Sequence, residues 1–189
     1  MEVKMKKGFV VFLVLAGFGL VLLSCGKKDE PASPSSDGCS YAFGYNLNDD
    51  NMDWQGNYLA GNDFTMSGDM VIKRLSLKAA NAGKIAMAIY ADNGSGVPGA
   101  LIAETGVING RAGWNHAAIP EAALENGSKY WLIAISQNTS VMTSRTAAGI
   151  VGVFKSYLWD DVEAFGIPSD IGGWTGYDNE MKIYASVCD

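Results

Sequence analysis

The chain has one histidine, His116, and three cysteines, Cys25, Cys39 and Cys188. A serine or cysteine hydrolase needs a histidine base beside its nucleophile, and no GxSxG turn accompanies His116. Within Gly113-Trp114-Asn115-His116, that histidine reads as an edge or surface residue of a strand. No CxxC spacing and no Cys/His cluster offers a zinc site. Basic residues are scarce as well, 14 Lys and Arg against 20 Asp and Glu. Nucleic acid and anionic bilayers both call for a basic footprint, so this balance excludes them as partners. It allows a neutral ligand such as a glycan, or a divalent cation. Past residue 24 there is no long hydrophobic run and no convincing helix longer than two turns.

What is present begins at the N-terminus. Lys4, Lys6 and Lys7 precede an uncharged apolar stretch from Phe9 to Leu23. A run of about 16 residues is shorter than the roughly 20 a spanning helix needs, and this one ends at Ser24-Cys25 with no basic stop-transfer cluster. That order is the layout of a secretory signal peptide over residues 1–24. Leu22-Leu23-Ser24-Cys25 resembles the lipobox of bacterial lipoproteins, which implies cleavage before Cys25 and lipidation of that cysteine. Several acyl chains on one residue hold a protein firmly on a membrane face. Gly26 follows in place of the aspartate that retains some lipoproteins at the inner membrane. Lys28-Asp29-Glu30 fits both a short surface-export tag and a plain solvated tether. The expected location is therefore the bacterial envelope, lipid-anchored, at the outer membrane.

Without residues 1–24, which take three lysines and one glutamate, 11 basic residues face 19 acidic ones, a net charge of −8. Residues 25–38 comprise the lipidated cysteine and a tether rich in Pro, Ser, Gly and charge, too polar to bury a core. The ordered domain is expected over 39–189. With Cys25 taken by the anchor, Cys39 and Cys188 remain at opposite ends of that domain. In an exported protein they are expected to form a disulfide joining the first strand to the last.

From Cys39 onward the apolar period is two. Ile85, Met87 and Ile89 alternate with Lys84, Ala86, Ala88 and Tyr90, and Trp131, Ile133 and Ile135 alternate with Tyr130, Leu132, Ala134 and Ser136. Turn signals separate such segments: Asn81-Ala82-Gly83, Asp92-Asn93-Gly94, Asn109-Gly110 and Asn126-Gly127. Eight or nine strands follow, near 40–46, 56–65, 70–79, 83–91, 99–107, 111–119, 129–137, 148–157 and 180–188. Several are apolar on both faces, and Asp160 to Phe165 can form one helical turn. The fold class is all-β, an antiparallel two-sheet β-sandwich. Trp114 and Trp131 fall where such a fold buries side chains.

Four pieces of residues 71–138 form a pattern: Ile89-Tyr90-Ala91-Asp92, Val97-Pro98-Gly99-Ala100-Leu101, Gly113-Trp114 and Lys129-Tyr130-Trp131-Leu132. The pattern resembles the β-sandwich domain of many secreted and surface-attached bacterial proteins, which is similar to jelly-roll carbohydrate-binding and adhesion modules. The resemblance implies a jelly-roll-like fold and leaves the ligand open.

Two segments concentrate chemistry. Residues 157–180 are the longest stretch without strand period and combine aromatics with carboxylates. Trp159, Trp174 and Tyr177 offer flat apolar faces with polar tips, and Asp160 and Asp161 offer acceptors for hydroxyl groups. A sugar ring, apolar on its C–H faces and polar at its rim, suits that mixture. The opposite reading makes these aromatics a satellite core beneath the loop. Asp49, Asp50 and Asp53 lie close together within 46–54, and calcium is the cation such oxygens would take. A solvated turn explains them equally. Glu104, Glu121, Glu125 and Glu163 are available as paired carboxylates for glycoside hydrolysis, but their spacing selects no pair.

The expected function is a non-catalytic, lipid-anchored binding module for carbohydrate, with exposed, coplanar aromatics among Trp54, Trp159, Trp174 and Tyr177. The alternatives are a structural or adhesive surface protein that contacts other proteins, and a glycan-acting hydrolase.

Overall fold

The computed structural model describes residues 38–49, 52–138, 141–146 and 149–189. The expected signal segment 1–24, Cys25, the expected tether up to residue 37 and Asp50 lie outside the described residues. The period-two segments form two large antiparallel sheets packed face to face, the β-sandwich expected from the sequence. One sheet has four strands in the order β1 (Cys39–Gly44), β14 (Ile183–Cys188), β4 (Met70–Ala79) and β8 (Gly113–Leu124). The other is ordered β12 (Thr175–Tyr177), β11 (Gly152–Ser156), β3 (Tyr58–Thr65), β9 (Lys129–Ser136), β5 (Gly83–Asp92) and β6 (Pro98–Glu104). The short strand β7 (Ile108–Gly110) extends it by pairing with β5. A small third sheet runs β13 (Asn179–Met181), β10 (Thr143–Thr146) and β2 (Met52–Asp53).

The strands outnumber the eight or nine expected because β2, β7, β10, β12 and β13 are two to four residues long, too short to show a period. The strand expected at 180–188 is split. Asn179–Met181 pairs with β10, Ile183–Cys188 pairs with β4, and Lys182 stands where the chain changes sheets. Cys39 pairs with Cys188 in register and the two form a disulfide across 149 residues of sequence.

The main core lies between the two large sheets. Leu75, Leu77, Ile183 and Ala185 of the four-stranded sheet meet Met87, Ile89, Leu132 and Ala134 of the other. The alternate residues of the same strands, Ala86, Ala88, Tyr90, Trp131, Ile133 and Ile135, are buried on the opposite face. That outer face would meet water in a two-layer protein. It is covered by α1 (Trp159–Phe165) and the loop after it, through Trp159, Val162, Ile167 and Ile171. This third layer is why β5 from Ile85 to Ala91 and β9 from Tyr130 to Ile135 carry apolar or aromatic residues on both faces.

Candidate functional site

The 157–180 segment is a cover: Trp159 packs beneath it, with Tyr157 and Trp174 against the same cluster, while Phe165 at the end of α1 is 85% exposed. Trp159 is 2% exposed, which corrects the expectation that it faces a ligand; its indole fills the space over β5 and β9 with Val162 and Ile167. Trp174 is half-buried against the same cluster. Asp160 is exposed and Asp161 half-buried. Both stand in the first turn of α1, where negative charge complements the helix dipole. The cover is pinned along its length. Trp159 N donates to Asn57 Oδ1 at 2.9 Å, Ile167 N to Glu104 Oε2 at 2.8 Å, and Leu101 N to Ser169 O at 3.0 Å. Tyr90 Oη donates to Pro168 O at 2.5 Å, and Lys84 pairs with Glu163.

Tyr177 belongs elsewhere, to an aromatic group at the β11 side of the larger sheet, where the small sheet meets it. Its ring centroid is 5.0 Å from that of Trp54 at 35°, and 5.8 Å from Phe154 at 70°. Trp54 meets Phe154 edge-on at 6.2 Å, and Phe154 meets Tyr58 edge-on at 5.9 Å. Asp53, Trp54, Gln55, Tyr58 and Phe154 line an open cleft of about 270 Å³. Its wall is mainly aromatic, with the Asp53 carboxylate and the Gln55 amide as hydroxyl partners.

Local sequence explains how the cleft is held. Trp54 leaves β2 with its N–H on Met142 O at 2.8 Å. Tyr58 opens β3, and Phe154 lies opposite Ala60 on the neighbouring β11. Tyr177 pairs with Gly152, and a Cβ there would stand 2.9 Å from the tyrosine ring, so only glycine lets the ring lie down on the strand. The fully buried Asn62 fixes the return of the chain. Its Nδ2 donates to Val151 O at 3.2 Å and Asn179 O at 2.7 Å, and its Oδ1 accepts from Met181 N at 2.8 Å. Burial drives the Tyr177 hydroxyl far above its ordinary pKa. That hydroxyl and Trp54 Nε1 are both buried without a hydrogen-bond partner among the described residues.

Asp49 serves a charge cluster and not a cation site. Lys182 is wholly buried, with Nζ 2.5 Å from Asp49 Oδ1 and 3.2 Å from Glu180 Oε2. Arg145 closes the ring, Nη1 at 2.5 Å from Asp49 Oδ2 and Nη2 at 2.7 Å from Glu180 Oε2. Burial pushes the Asp49 carboxyl up, but the Lys182 hydrogen bond and the charges of Lys182 and Arg145 outweigh it and hold the group below its ordinary value. Nearby, burial first and Glu180 next push the Tyr45 hydroxyl up to about 12. Two cations already occupy both Asp49 oxygens, and Asp53 is exposed at the cleft, so the calcium expectation is corrected for these two residues. Among the described residues, no three His, Cys, Asp or Glu are grouped to hold a metal.

His116 is exposed on β8, with Nδ1 2.8 Å from Ser76 Oγ. Trp131 is fully buried and its Nε1 donates to Asp92 Oδ2 at 2.9 Å. Trp114 is half-buried and not core: its indole meets Tyr184 edge-on at 5.0 Å and donates from Nε1 to Asn48 Oδ1 at 3.0 Å. Sequence reasoning named Trp54 and Tyr177 but missed Tyr58 and Phe154. Both sit in strands, where an aromatic on one face gives no sign that its face ends at an open edge.

Fold and surface together define an all-β, antiparallel sandwich with a helical cover and an aromatic cleft at one edge. No protein-family model, no curated protein and no solved structure matches the chain.

Proposed function

We propose that this protein is a lipid-anchored binding module of the bacterial envelope that holds carbohydrate in the Trp54–Tyr58–Phe154 cleft. The observation that carries the reading is that cleft: an aromatic wall open to solvent, with a carboxylate and an amide at its rim. Aromatic faces suit the C–H faces of a sugar ring, and Asp53 and Gln55 suit its hydroxyls. A few fixed polar groups on a mainly apolar wall is the usual composition of a small-ligand site. Non-catalytic binding is the function proposed. Anchoring by lipid rests on the signal layout and on Cys25. The ligand of this cleft is neutral or weakly charged, because the one charged residue of its lining is Asp53.

The test is a glycan array probed with the whole chain and with Trp54→Ala and Phe154→Ala variants. Binding to a subset of glycans is expected, and each variant weakens it roughly tenfold or more, as truncating an aromatic anchor does. Absence of binding, or binding that both variants retain, would overturn the assignment. For the anchor, Cys25→Ser removes incorporation of labelled palmitate and releases the protein from the membrane fraction; retention of the label would overturn lipidation at that residue.

A further inference from the structure

A second pocket lies at the turn between β7 and β8. Ile108, Asn109, Arg111, Trp114, Asn115 and His116 enclose about 330 Å³ there. Its lining contains an arginine and a histidine and no carboxylate, in a chain with net charge −6. Five other cations of the described residues are paired with acids, Lys73 with Glu121, Lys84 with Glu163, Lys129 with Asp63, and Arg145 and Lys182 with Asp49 and Glu180, while Lys155 donates to Gly172 O. Among the described residues, the exposed Arg111 guanidinium faces no acid.

The turn that presents Arg111 is rigid. Asn115 is 8% exposed and clasps it with three bonds: its Oδ1 accepts from Arg111 N at 2.8 Å, and its Nδ2 donates to Arg111 O at 2.7 Å and Gly113 O at 2.9 Å. Trp114 beside it is steadied by Tyr184 and Asn48. A guanidinium fork recognises carboxylates by two parallel hydrogen bonds. The indole supplies an apolar face next to it, and Asn109 supplies an amide for hydroxyls.

We infer that this pocket binds a carboxylate-bearing saccharide, a uronate unit whose carboxylate sits on Arg111 and whose ring lies against Trp114. The site is independent of the Trp54 cleft and does not rest on the reading given to it.

The probes are galacturonate and glucuronate oligomers, each beside its methyl ester, which keeps the sugar and removes the charge. Isothermal titration with the whole chain is expected to show binding of an acid form, roughly tenfold or more weaker for its ester, and weakened by added salt because the pair is solvent-exposed. Arg111→Ala brings the acid down to the ester's affinity. Its melting temperature stays at that of the parent chain, because the Asn115 clasp uses only the Arg111 backbone. Trp54→Ala leaves uronate binding intact, which separates this site from the cleft. Equal binding of acid and ester, undiminished binding by a folded Arg111→Ala, or binding of neither acid would overturn the inference.

Discussion

A single amide, that of Asn62, joins three stretches of chain that are far apart in sequence: its own strand β3, the segment before β11, and β13, which it holds at both ends. Buried polar groups left without partners each cost about 1–3 kcal/mol, and Asn62→Leu leaves Val151 O, Asn179 O and Met181 N without this one. The variant is expected to lose about 3 kcal/mol in urea unfolding and to weaken ligand binding in the cleft, since Tyr177 hangs from the same return. An unchanged unfolding midpoint would show that water replaces the amide. The Asp49 carboxyl makes a second prediction at this scale, one that depends on pH. Held below its ordinary value in the fold, it contributes stability that is complete above the unfolded carboxylate pKa of about 4 and disappears as pH falls through the lower folded value. Urea midpoints measured from pH 6 to pH 2 should therefore fall less steeply for Asp49→Asn than for the parent chain. At pH 7 that variant should be less stable by about 3 kcal/mol, because Lys182 loses one of its two acids while still buried. A parallel decline of both proteins would remove Asp49 from the acid response.

At the scale of elements, the cover is the feature that decides which aromatics are free. Trp159→Ala empties a buried indole site between α1 and the sheet and should cost about 3–5 kcal/mol, measured by chemical unfolding. It should leave binding at the Trp54 cleft unchanged in the native protein; loss of binding without loss of stability would return the ligand to α1. The strands were legible because period two survives in β5, β9 and β14, and the turns because Asn-Gly and Asp-Asn-Gly pairs stand between them. The single turn at Asp160 to Phe165 was legible too, and α1 spans Trp159–Phe165. The fate of Trp159 was not. A tryptophan beside two aspartates has the same composition whether its ring lies under a helix or over a cleft. What settles it is the outer apolar face of β5 and β9, which needs a lid. That need was written in the residues, since Ala86, Ala88 and Ile133 have no polar neighbours along their strands. Assigning the lid to a segment tens of residues away takes the tertiary fold. Tyr58 and Phe154 were hidden for a related reason: period shows which face a residue shares and not where that face stops.

For the whole molecule, the sandwich is closed at one end by Cys39–Cys188, which ties the edge strand β1 to β14. The first and last described residues thus lie side by side, with Asp189 N donating to Gly38 O. In the chain-entropy view a bridge across this much sequence restricts the unfolded chain by up to about 5 kcal/mol. Among the described residues β1 lies at the sheet edge and pairs only with β14, so it is the strand most dependent on the bridge. The Cys39→Ser, Cys188→Ser double variant is expected to fold and to unfold about 2–5 kcal/mol more easily. Amide exchange should rise first in β1, while β5 and β9, buried on both faces, keep their protection. Binding at the cleft should persist at temperatures below the lowered melting point, because Trp54, Tyr58 and Phe154 are set by β2, β3 and β11, none of which pairs with β1. Equal stability of the double variant and the parent would mean that strand pairing alone secures the edge. A collapse of the whole fold would mean that the two sheets do not hold together without a covalent tie, and the exchange pattern along β1 distinguishes these outcomes from the intermediate loss expected here.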